Sequence, residues 1–147
     1  MRPGPGRRLW NDGWDGYSAA RGRLTEALQR HQPANPVLLG GDVHENWVGH
    51  VKADYNRPDS AALGVEFCGT SITSRSGGND KLAERLAENP HFVFADAARK
   101  GYGVAQFTPG RLDVALRVVD DVTRQDTKIE TLARFAVQAG RPMVEAV

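Results

Sequence analysis

An α/β fold is what this sequence predicts, and three observations predict it. An amphipathic segment from Tyr17 to about Arg30 is closed off by Pro33 and Pro36 and runs into a short apolar stretch, Val37-Leu38-Leu39-Gly40. Beyond Trp47 the chain changes to short apolar or alternating runs separated by turn residues, the pattern of strands. Arg111 to Val119 has the clearest period of two: Leu112, Val114, Leu116 and Val118 face one way, Arg111, Asp113 and Arg117 the other.

Each element has its own reason. Residues 1–11 open with a Pro-, Gly- and Arg-rich stretch and are expected to be a disordered leader, leaving 12–147 as one domain. In the helix from Tyr17, Tyr17, Ala20, Leu24, Ala27 and Leu28 share a face, while Arg21, Arg23, Glu26 and Arg30 point mostly elsewhere. Asp15 or Ser18 is placed to cap it. Val37 to Gly40 reads as a buried strand. Val48 to Tyr55 and Leu63 to Gly69 read as strands around the turn Asn56-Arg57-Pro58-Asp59-Ser60. Ser74 to Asp80 is a polar loop, and Lys81 to Glu88 is a short helix with Leu82 and Leu86 at i, i+4. Phe92 to Ala95, Tyr102 to Phe107 and Thr131 to Val137 complete the strands. There is no internal repeat.

Bulk properties narrow the function classes. The chain has 147 residues, 40% hydrophobic and 25% charged, which suits one globular domain. A net charge of +1 gives no electrostatic case for nucleic acid or an anionic membrane as partner. No apolar run approaches the roughly 18 residues of a membrane helix. A single cysteine, Cys68, excludes an internal disulfide and leaves the compartment open. Arg7-Arg8 is not followed by an apolar region, so no twin-arginine export signal is read there and localisation stays unknown.

The chemistry centres on Gly40-Gly41-Asp42-Val43-His44. Glycines at a strand end permit a sharp turn, and catalytic groups of open α/β sheets sit outside the carboxyl ends of strands. Asp binds hard cations and His suits iron or zinc. At D-x-H spacing, Asp42 and His44 can reach one metal or phosphate site; by spacing alone a turn Asp and a surface His is an equal reading. Trp47 either walls a pocket or fills the core, with core the expectation. His50 is expected to be exposed or satisfied in the core. Trp14 and Asp15 are open between lining a substrate cleft and structural roles, whereas Tyr17 is expected to pack. Glu66 and the hydroxyls of Thr70, Ser71, Thr73 and Ser74 read as structural before they read as phosphate-binding. His91, after a Pro turn, either hydrogen-bonds a metal ligand or merely starts a strand. Cys68 reads as a small buried residue.

Six ordered blocks carry a resemblance: D-G-W-D-G-Y (Asp12 to Tyr17), G-D-V-H-x-x-W (Gly41 to Trp47), E-F-C-G-T-S-I-T-S (Glu66 to Ser74), N-P-H (Asn89 to His91), R-K-G-Y (Arg99 to Tyr102) and R-V-V-D-D-V-T (Arg117 to Thr123). Together they resemble the C-terminal portion of the PhoD-type alkaline phosphatases, from about Asp12 onward. The resemblance implies a metallophosphoesterase-type sandwich of two sheets flanked by helices, of which this chain would supply the second sheet and a covering helix. It implies hydrolysis of a phosphate ester by metal-activated water, iron and calcium as cofactors, Asp42 and His44 as metal ligands, and export to periplasm, cell wall or medium. The family also uses Asp, Tyr, Asn and Cys ligands and an Asn-His pair from upstream motifs. No matching blocks occur here, and the cysteine role is not carried over to Cys68. The expectation is therefore an incomplete site, inactive alone, completed by an N-terminal half in trans. The alternative is a non-catalytic remnant or interaction module.

Overall fold

The parallel pairing of two strands sets up everything around the candidate loop. In the computed structural model, which describes residues 12–147, β1 (Val37–Gly40) lies parallel to β3 (Ala62–Cys68), with Val37 opposite Val65 and Gly40 opposite Cys68. β2 (Asn46–Lys52) pairs antiparallel with the other edge of β3, and β4 (Phe92–Asp96) adds antiparallel to β2. The sheet order is thus β1-β3-β2-β4. Leaving β1 and entering β2, the chain must cross the end of β3, two strand spacings or about 10 Å, in the five residues Gly41 to Glu45. The expected leader, residues 1–11, lies outside the described residues.

The second sheet is wholly antiparallel, in the order β5 (Lys100–Phe107), β6 (Arg111–Val119), β7 (Ile129–Gln138) and β8 (Glu145–Ala146). The two sheets pack face to face. Val48, Val65 and Phe67 of the first meet Leu112, Val114, Leu116, Phe135 and Val137 of the second in one buried cluster. Burying each such side chain contributes about 1.5–3 kcal/mol. The period of two in β6 is realised as read, its four apolar residues buried and the intervening ones half-buried. The expected α/β sandwich is therefore present, but the chain contributes strands to two packed sheets, where one sheet and a covering helix were expected of it.

Two helices flank it: α1 (Ser18–His31) and α2 (Leu82–Glu88). α1 ends as Gln32 turns left-handed and its N–H closes on the Leu28 carbonyl at 2.9 Å, with Pro33 next. Its start differs from expectation. Tyr17 occupies the cap position and no side chain caps the helix, because the Asp15 carboxylate is taken by Arg21 at 2.8 Å. Its inward face also differs. Thr25 is the buried residue, and Tyr17 is 63% exposed. Arg21 turns inward to Asp15 and to the Tyr55 ring, 5.2 Å from its centroid, which rotates the helix away from the purely apolar stripe.

Candidate functional site

The five-residue crossover is a strained turn. Val43 N–H donates to the Gly41 carbonyl at 2.9 Å with Asp42 between them at φ 73°, the rare γ-turn geometry, and His44 follows at φ 59°. Residues with side chains avoid this left-handed region. Two such residues alternating in one turn at the carboxyl ends of parallel strands mark a conformation kept against its local cost.

The surroundings hold it. Gly69 N–H donates to the Gly40 carbonyl at 3.0 Å, and the Cys68 thiol lies 3.5 Å from the Gly41 carbonyl. Thr70 N–H donates to Asn46 Oδ1 at 3.1 Å. The His44 carbonyl oxygen is 2.9 Å from Lys100 Nζ and 3.0 Å from the Thr70 hydroxyl. His44 Nδ1 lies 3.2 Å from the Arg75 carbonyl oxygen. Since a carbonyl only accepts, Nδ1 is the donor here, and in the neutral ring Nε2 is then the nitrogen with a free lone pair.

Beside the turn opens a cleft of about 460 Å³. Asp42 lines it from the turn, Glu66 and Cys68 from β3, Trp47 from β2, Arg85 from α2, His91 from the start of β4, and Trp14 and Asp15 from the segment before α1. Among the described residues lining it, five carboxyl groups (Asp12, Asp15, Asp42, Glu45 and Glu66) face two guanidiniums, Arg21 and Arg85. Both guanidiniums are already paired, Arg21 with Asp15 and Arg85 with Glu45. The described part of the lining thus carries more carboxylates than cations.

Placement of the sequence candidates is uneven. Asp42 is exposed on the cleft; His44 is half-buried, is not among the cleft-lining residues, and is oriented by Arg75 instead. Trp14 and Asp15 both line the cleft, Trp14 with 47% of its surface exposed. Trp47 does both things asked of it, being 5% exposed and a cleft wall whose ring lies 4.8 Å from that of Phe92, tilted by 53°. His91 packs against Tyr55 and Phe92, at 4.9 and 4.3 Å between ring centroids. Burial above all, with Arg21 and Lys52 adding to it, pulls its imidazole down to about 4, so it is neutral at physiological pH. His50 is satisfied internally, its Nε2 accepting from Val144 N–H at 3.2 Å. Burial pushes the Cys68 thiol up to about 11, with Glu66, Glu45 and Asp42 adding to it. It is an inert thiol, as its apolar setting implied. The hydroxyl run is structural: Ser71 Oγ donates to the Ser74 carbonyl at 2.6 Å, while Thr70 serves the turn. Burial also raises the Glu66 carboxyl above the ordinary range.

Sequence reasoning missed Glu45, Arg85 and Lys100. Glu45, 8% exposed, receives both Arg85 nitrogens at 3.1 and 2.7 Å and the Trp47 indole N–H at 2.8 Å. One signal was available: Arg85 shares the α2 face with Leu82 and Leu86, a cation on the side that packs inward. Lys100 gave none, since its partner is 56 residues away.

Among the described residues, no three His, Cys, Asp or Glu side chains are grouped to hold a metal ion, and no helix is long and apolar enough to cross a membrane.

Comparison with known proteins agrees with this architecture. The family model for PhoD-like phosphatase matches residues 2–116. Alkaline phosphatase D of Bacillus subtilis (strain 168) is 39% identical over 130 residues, covering 86% of this chain and 22% of that protein. A solved structure of PhoD superposes with a TM-score of 0.85 at 35% identity, covering 92% of this chain and 26% of the other. The chain therefore spans about a quarter of the length of the relatives it matches. With its two-sheet fold, its left-handed Asp-x-His turn and these matches taken together, the chain belongs to the PhoD-like phosphatase family.

Proposed function

We propose that this chain is part of a phosphoric ester hydrolase, an alkaline phosphatase or phosphodiesterase, and that it contributes Asp42 and His44 to a metal site completed by other protein. The observation that carries this reading is the strained turn: both residues are held left-handed at the carboxyl ends of β1 and β3, beside the cleft. The carboxylates among the described lining residues disfavour an anionic phosphate ester. A cation bound among the carboxylates reverses the sign of the field.

The donors present fit a corner of such a site and not a whole one. Asp42 offers a carboxylate and His44 a free Nε2, whereas a hard cation takes six or more ligands. Iron and calcium are the ions the family resemblance points to. Trp14 and Asp15, on the cleft wall, would meet the substrate, and His91, neutral and packed on aromatic rings, would face it as an uncharged group.

The test is a phosphatase assay of the purified chain with and without iron and calcium, repeated with a protein bearing the upstream motifs supplied in trans. The chain alone is expected to be inactive and to bind these ions weakly by calorimetry. The mixture is expected to turn over, with Asp42→Asn losing most of the activity and Ser74→Ala little. Robust metal-dependent turnover by the lone chain would show that the site is complete without a partner. A second reading, a non-catalytic interaction module, is favoured by one observation: no three metal-binding side chains are grouped among the described residues. A mixture that associates without any turnover would establish it.

A further inference from the structure

Lys100 is a charged side chain buried at 8% exposure, and among the described residues no carboxylate lies within ion-pair distance of it. With the Glu45 and Asp96 charges acting on it only from farther off, the ammonium finds its hydrogen-bond partners in dipoles. Here they are the His44 carbonyl oxygen at 2.9 Å and Ser76 Oγ at 2.5 Å. Ser76 in turn donates to the Ala97 carbonyl, tying the ammonium to the corner between β4 and β5.

The choice of carbonyl matters. A carbonyl oxygen has two lone pairs; that of His44 accepts from Lys100 and, at 3.0 Å, meets the Thr70 hydroxyl, whose single proton it shares with the Arg99 carbonyl at 3.1 Å. The bond from Lys100 is charge-assisted and so the stronger of the pair. Together they fix the plane of the peptide between His44 and Glu45 in a residue whose φ of 59° would otherwise relax. The imidazole is fixed from its other side by the Arg75 carbonyl.

We propose that Lys100 is the positioning residue of His44: its buried ammonium pins the His44 carbonyl, keeps the residue left-handed, and so presents the imidazole with Nδ1 on Arg75 and Nε2 free. The inference deepens the reading of His44 as a ligand and rests on it for its purpose, but the conformational claim is tested apart from that reading.

The experiment is nitrogen-15 NMR of the full chain at about pH 8.5, where imidazoles are neutral. In the wild type, the Lys100 ammonium is expected to give a slowly exchanging signal and His44 a single tautomer protonated on Nδ1. In Lys100→Met, His44 is expected to lose that single tautomer and its amide to shift, while the signals of β6 stay in place. Lys100→Arg, which keeps a cationic donor, is expected to restore the tautomer. A purely structural lysine would give neither the tautomer change nor the rescue. The proposal is overturned if Lys100→Met keeps the His44 tautomer. It is equally overturned if the wild-type ammonium exchanges as fast as those of the surface lysines, a reading that needs no variant to fold. Added manganese separates the two ideas. Broadening at Asp42 and His44 supports the ligand reading. No broadening, with the tautomer still dependent on Lys100, leaves the positioning role established independently of metal binding by this chain.

Discussion

The Arg85 guanidinium lies over the indole of Trp47, its central carbon 4.5 Å from the ring centroid. The same guanidinium grips Glu45, to which the Trp47 N–H also donates. Helix α2, the crossover turn and strand β2 are thereby locked at one point, directly beside the residues proposed to bind metal.

Removing that point should be costly. Arg85→Ala leaves the largely buried Glu45 carboxylate with only the indole N–H, and loss of one partner of such a pair costs about 2–4 kcal/mol. Arg85→Lys keeps the charge but loses the two-nitrogen grip, and should cost about half as much. Urea midpoints at neutral pH measure both. Equal stability of Arg85→Ala and wild type would show that the lock is not energetically important.

The turn at Asp42 should trade stability for function. At φ 73° a glycine is unstrained and an alanine is not. Asp42→Gly is expected to be more stable than Asp42→Ala by about 1 kcal/mol, with both losing metal binding. Thermal melts and metal titration of the two variants provide the check. An Asp42→Ala protein as stable as Asp42→Gly would mean that the turn relaxes in solution.

His91 should make the fold acid-sensitive in a defined window. Its imidazole is held at about 4, against an ordinary value of 6.5. As pH falls below 6.5 the unfolded chain takes up the proton first, so stability present above 6.5 is lost as pH drops toward 4. The loss should be on the order of 1–3 kcal/mol. His91→Gln, which does not titrate, should flatten this part of the urea midpoint against pH. The same slope in both proteins would place the acid sensitivity elsewhere.

Glu66 should act in the opposite sense. Burial raises its carboxyl, so the folded state holds the proton more tightly than the unfolded one. Stability is then lost as pH rises through the carboxylate range, and Glu66 is a liability at neutral pH. Glu66→Gln is expected to be more stable than wild type at pH near 7, the gain vanishing below about pH 4. A variant less stable than wild type at neutral pH would show that the Glu66 carboxylate has a stabilising partner.

Local pattern alone determined most of the elements. The run Val37 to Gly40 and the alternation from Arg111 to Val119 became β1 and β6 with the bounds read for them; β6 shows the period that one buried face imposes, whereas β1, read as buried, is half-buried at Val37 and Leu38 and exposed at Leu39 and Gly40. The Gly-Gly-Asp-Val-His stretch was legible as a turn at a strand end carrying two ligand-type residues, which its left-handed geometry matches. β8 was not legible: two residues, Glu145 and Ala146, have no period, and they form a strand only because β7 offers an edge. The inward turn of Arg21 and the exposure of Tyr17 were equally hidden, for the partners Asp15 and Tyr55 are decided by how α1 lies on the sheet. The left-handed turn at Asp42 and His44 was set by strand order. With β3 between β1 and β2, five residues must span its end, and only the tertiary fold brings Lys100, Thr70 and Arg75 to the place where that strained crossing is held.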